Sequence, residues 1–187
     1  DGIRDFCLSR GLGDVYKRQG YLAEHPLPVD DHIHAEFRAA VEGKIATVQA
    51  LAELAGQDPA ASAYILGATA ALQRAKERVP AYDAEHAVVM LGERRASETL
   101  LALPSVSEAI SDPAARTGYR NAVTRGRHAQ AHAIRWLIAR DEKGYDIVKT
   151  AALTHNFLEL ALWRDAPDLA RQAQRLAQAE FIQALRE

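Results

Sequence analysis

A His-Asn pair, His155-Asn156, stands inside Ala- and Leu-rich, helix-forming sequence. Aspartate in the second place would set a carboxylate beside an imidazole. Such a pair can hold a divalent cation and bring the pKa of its bound water toward neutrality. Asparagine has nearly the shape of aspartate but no charge, so the electrostatic attraction that dominates hard-metal sites is lost. The pair has the outline of a metal site without its chemistry. Its structural alternative is a histidine packed between helices, with one ring nitrogen on a backbone carbonyl or on Asn156. Upstream, His128 and His132 are four apart, which on a helix puts both imidazoles on one face. Ala129 and Gln130 follow His128 where zinc hydrolases of that spacing carry a glutamate base, and no third ligand is evident, so a zinc hydrolase is not supported.

The elements that must position these residues read as helices almost throughout, because apolar residues recur at three and four positions and do not alternate. Residues 21–33, with Pro26, Pro28 and two adjacent aspartates, read as an extended entry segment. Helices are expected over 34–42, 45–56, 59–73, 84–91, 93–103, 105–111, 114–141, 146–164 and 167–185. Asp58-Pro59 and Asp112-Pro113 each place a capping carboxylate before a proline at the first helical position, where a missing N–H costs nothing. Gly56, Gly92 and Gly144 stand where left-handed residues can close helices. No period-two strand pattern and no Gly/Ser/Pro linker divides the middle. One all-α domain without internal repeats is the expected architecture.

Four stretches give that architecture a family resemblance. TAALTHNFLELALWRDAPDLA (150–170) resembles the segment of HDOD domains, the HD-related output domains, in which an apolar run leads to a His-Asp-like pair and then to an aromatic-containing helix ending at proline. IATVQALAELAGQDPAASAYILGATAAL (45–72) resembles that family's opening helices, and DAEHAVVMLGERRASETLLAL (83–103) its next helix pair. RHAQAHAIRWLIA (127–139) resembles the helix that carries the first histidine of an HD domain. The resemblance covers roughly residues 27–180, and its specificity comes from the order of the four pieces. It implies a compact multi-helix HD-superfamily-like fold, with His128, His155 and Asn156 at vestigial metal-site positions. It further implies no catalytic residue, no metal, no cofactor, and a role as a cytoplasmic output module in bacterial signal transduction, acting on protein partners or fused signalling domains. The competing expectation is a metal-dependent HD-type phosphohydrolase or cyclic-dinucleotide phosphodiesterase. Gly118-Tyr119 and Gly144-Tyr145 both lack the following proline of the motif that would support it. Restoring aspartate at 156 is expected, on this reading, to raise metal affinity.

The ends of the chain read differently. DGIRDFCLSRGLGDVYKRQ (1–19) resembles translated sequencing-adapter sequence from a metagenomic reading frame and is expected to be a non-native or disordered leader. It contains the single cysteine, Cys7. The domain is then 20–187, expected to be incomplete at its C-terminus because HDOD domains usually continue with further helices.

Composition limits the partners. The chain has 187 residues and a net charge of −2, and 20–187 holds 19 basic against 22 acidic side chains. That balance argues against a nucleic-acid-binding protein. Arg94 and Arg95 open the second of two short helices hinged at Gly92, as a helix-turn-helix would. With no basic face, the expectation is that Val88, Met90, Leu91, Leu100 and Leu101 are core. Trp136, Phe157, Leu158, Leu160, Leu162 and Trp163 are likewise expected in the core and not around a cofactor. No apolar run approaches the ~18 residues of a membrane span. A reducing cytoplasm is expected.

Overall fold

The computed structural model describes residues 25–43, 45–74, 81–143 and 145–184; the proposed leader, Cys7 and Gly144 lie outside them. The described residues form α1 (Asp31–Glu42), α2 (Val48–Ala55), α3 (Pro59–Arg74), α4 (Ala84–Leu91), α5 (Glu93–Leu101), α6 (Val106–Ala109), α7 (Pro113–Ala139), α8 (Tyr145–Thr154), α9 (Phe157–Asp165) and α10 (Pro167–Ala184). Extended pairing among them is limited to one isolated parallel bridge between Val29 and Ser105. The all-α expectation holds.

Side-chain caps explain why the helices start where they do. Both Asp-Pro signals act as expected: Asp58 accepts from the N–H groups of Ala60 and Ala61, and Asp112 from that of Ala114. Other starts moved for the same reason. Thr47 accepts from the Ala50 N–H and delays α2 to Val48. Asp30 caps α1 three residues earlier than the periodicity suggested. Ser105 and Glu108 form a reciprocal capping box that defines the single turn of α6. Gly92 closes α4 at φ 75°, as a left-handed residue should, but Gly56 ends α2 in the right-handed region at φ −71°.

The core is one cluster centred on Phe37, Leu51, Ile65, Val88, Leu100 and Tyr119. The entry segment is part of it: Leu27 and Val29 are buried, Val29 donates to the Pro104 carbonyl, and the Tyr119 hydroxyl donates to the Pro28 carbonyl at 2.7 Å. Asp58 is fully buried beside this segment and also accepts from the Asp30 N–H. Burial pushes its carboxyl up, against the pull of three N–H donors and the nearby Arg127.

Three other carboxylates are shifted the opposite way. Burial works against the ionisation of Asp31, but the Arg120 guanidinium at 2.5 Å and Ser107 outweigh it and hold the carboxyl below its ordinary value. The Ser105 N–H lowers Glu108, and the Ala114 N–H together with Arg171 lowers Asp112. A carboxyl whose folded pKa is depressed contributes stability above its unfolded value and loses it as pH falls through the folded one. These three groups therefore lose their contribution as pH falls below the ordinary carboxylate range. Asp58 opposes them, since its ionisation costs stability as pH rises through its folded value. Melting temperature followed against pH should fall over that acid window, and Asp31→Asn should flatten part of the fall. An acid limb unchanged by Asp31→Asn would contradict the assignment.

Candidate functional site

The expected helix over 146–164 is two helices. α8 ends at Thr154, His155 and Asn156 form a turn, and α9 begins at Phe157. Ala and Leu propensity alone would continue the helix, so the break is a tertiary effect. Its cause is visible at Asn156. The residue occupies the N-cap position of α9, yet its side chain does not cap. Instead Nδ2 donates across to the Ala122 carbonyl of α7 at 2.6 Å. An amide oxygen facing that carbonyl would be repelled, so the orientation of the carboxamide follows from the acceptor it meets.

α7 is built to receive this turn. Ala115, Gly118, Ala122 and Gly126 recur at three and four positions and are buried along one face. A Cβ at Gly126 would lie 2.6 Å from the Leu153 carbonyl oxygen and 3.4 Å from Asn156 Oδ1; one at Gly118 would lie 2.5 Å from the Trp163 ring. The absent side chains let the α8 backbone approach α7 at Gly126 and the Trp163 ring of α9 lie against it at Gly118. Around the joint, Glu159 accepts from Arg125 of α7 and from the indole Nε1 of Trp163 on its own helix. Lower on α7, Arg127 donates through Nε to the Gln57 carbonyl and Gln130 to that of Gly56, so α7 also holds the turn after α2. Two buried polar atoms in this region have no partner, Asn156 Oδ1 and one terminal nitrogen of Arg127.

The histidines are placed differently from Asn156. His155 is exposed and not packed between helices, with Nδ1 2.7 Å from the Ala152 carbonyl of the preceding turn. A carbonyl only accepts, so Nδ1 carries the proton. His128 and His132 are both exposed on α7. Among the described residues no three His, Cys, Asp or Glu side chains come together as a group able to hold a metal ion. Asn156 offers an N–H donor to α7 and a buried neutral oxygen.

Other assignments from the sequence need correction. Val88, Leu91 and Leu100 are buried and Leu101 packs against the core, but Met90 is 37% exposed. Leu160 and Trp163 are buried and Phe157 and Leu162 partly so, whereas Leu158 and Trp136 are exposed. Both sit on solvent-facing sides of helices whose other faces pack, which a count of apolar residues does not distinguish. Arg94 and Arg95 are exposed, and Arg94 lies 3.8 Å from Glu98. Periodicity also gave no sign of a polar cavity of about 290 Å³ between α2, α4 and α8, lined in part by Glu53, Asp83, Glu85, Asp146 and Lys149. None of His128, His155 and Asn156 reaches it.

By its described residues the protein belongs to the all-α class, a multi-helix domain in which no helix is long and apolar enough to cross a membrane. No protein-family model matches the chain, no curated protein matches it in sequence, and no solved structure matches it.

Proposed function

We propose that the chain is a non-catalytic HDOD-type output module that mediates protein interactions in bacterial signal transduction, in the cytoplasm. The observation that carries the reading is the use made of Asn156. Where the resembling enzymes would place a metal-ligating carboxylate, this side chain donates a hydrogen bond to the Ala122 carbonyl and joins two helices. The amide lacks the charge with which a carboxylate holds a hard cation, and its N–H serves to tie the turn to α7 while Oδ1 stays neutral and buried. The order of the four HDOD-like stretches supplies the family part of the reading.

The rival is a metal-dependent phosphohydrolase or cyclic-dinucleotide phosphodiesterase. Calorimetry with manganese and magnesium, run beside hydrolysis of a nitrophenyl phosphodiester and of a cyclic dinucleotide, separates the two. The expected result is no specific metal binding and no turnover above buffer. Turnover that requires manganese and disappears in both His128→Ala and His155→Ala would replace the module with the enzyme.

A further inference from the structure

α7 carries five arginines, two histidines and no aspartate or glutamate over its 27 residues. Three of those arginines are engaged inside the protein: Arg120 with Asp31, Arg125 with Glu159, and Arg127 with the Gln57 carbonyl. Beyond Arg127 the helix turns a different face outward. His128, His132, Arg135, Trp136 and Arg140 follow at steps of four, three, one and four, which at 1.5 Å and about 100° per residue makes a broad stripe about 18 Å long that covers roughly 140° of the helix and its C-cap. All five are exposed. Arg135 has no ion pair among the described residues, and the Arg140 guanidinium lies over the Trp136 ring, 4.6 Å from its centre. Trp136 is 58% exposed, against 3% for Trp163.

An indole left in water between guanidinium groups has the composition of a binding hot spot, in which an aromatic anchor is ringed by arginines. Its charge selects an anionic partner. One indole and two outward guanidinium groups make a poor track for single-stranded nucleic acid, which takes repeated stacking platforms and several phosphate contacts. A broad cationic stripe with one indole between two guanidinium groups instead suits a second helix crossing it, with carboxylates on both flanks of an apolar side chain. Asp141 and Glu142 follow Arg140 and would repel an acidic segment running past it, which fixes where such a helix must end.

We propose that this stripe docks an acidic amphipathic helix of a partner protein, with carboxylates on Arg135 and Arg140 and an apolar side chain against Trp136. The proposal rests on the reading of the chain as an interaction module and names its contact face. The test uses the full chain and a synthetic alanine-based peptide of roughly 18 residues, with glutamates at helical spacing and one leucine among them. Its glutamine counterpart and a short oligothymidylate serve as comparisons. Because Trp163 is buried, acrylamide quenching of indole emission reports mainly on Trp136. The glutamate peptide should protect Trp136 from quenching, bind more weakly as salt is added, and lose affinity at least about tenfold in Arg135→Glu and in Arg140→Glu. Absence of protection, equal protection by the glutamine peptide, or affinity retained in both charge reversals would overturn the proposal. Protection by oligothymidylate alone would make the stripe a nucleic-acid face and overturn it as well. Failure here leaves the non-catalytic reading standing, since that reading falls only on metal-dependent turnover.

Discussion

Gly126→Ala should lower the stability of this protein by about 2 kcal/mol, although glycine-to-alanine in a helix interior ordinarily stabilises by about 1 kcal/mol. The new Cβ would stand 2.6 Å from the Leu153 carbonyl oxygen, a backbone atom that cannot rotate away. α8 and α9 would have to move off α7, and that movement stretches the Asn156–Ala122 hydrogen bond across the joint. Overpacking of this kind costs roughly 1–3 kcal/mol and loss of the bond about 1 kcal/mol more, which together exceed the propensity gain. For a chain of this size the result is a fall of roughly 5 °C in melting temperature. Gly118→Ala should act in the same direction through the Trp163 ring. Gly67, in the middle of α3, supplies the control: nothing lies within 4 Å of its missing Cβ, so Gly67→Ala should raise stability by up to about 1 kcal/mol. Thermal melts of the three variants decide the matter. Gly126→Ala melting at or above the unmodified chain would show that the close approach of α8 and α9 to α7 is wrong.

Asn156→Asp should destabilise by about 2–3 kcal/mol at neutral pH, the cost of losing a buried hydrogen bond and setting an anion against a carbonyl. From the sequence, the same change was expected to rebuild a metal ligand. The structure adds a stability cost to that change, because the amide N–H is what Ala122 accepts and a carboxylate has no proton to offer. A protonated carboxyl does. The introduced group should therefore have a folded pKa above its unfolded value, so the variant is most stable below the unfolded pKa and loses stability as pH rises through the folded one. Asn156→Ala gives a reference, since it deletes the bond and also the unpartnered Oδ1, and should cost less than the charged variant. Melting each protein across pH, with and without manganese, reads out both arms. A rise in melting temperature with manganese that is larger for Asn156→Asp than for the unmodified chain would restore the metal-site interpretation of the pair.

The sequence by itself determined the class of the fold and most of its punctuation. Apolar spacing marked helices at α1 through α10 apart from the break within 146–164, and Asp58-Pro59 and Asp112-Pro113 located two starts to within a residue. These signals are local: a cap bonds to N–H groups two or three residues away, and periodicity describes the helix that contains it. The caps at Thr47 and Asp30 were also local but hidden inside runs that already looked helical or extended.

Only the tertiary structure decided that the helix breaks at His155-Asn156 and what Asn156 bonds to. The break between α8 and α9 depends on a carbonyl 34 residues upstream and on two glycines that leave room to reach it. Neither has any signature within the segment that breaks. The same limit hid the outward face of Trp136, because whether an apolar residue is core depends on which neighbours pack beside its helix. Periodicity can place Trp136 on a stripe with His128, His132, Arg135 and Arg140. It cannot say that the stripe faces water, since that is fixed by where α8 lies against α7.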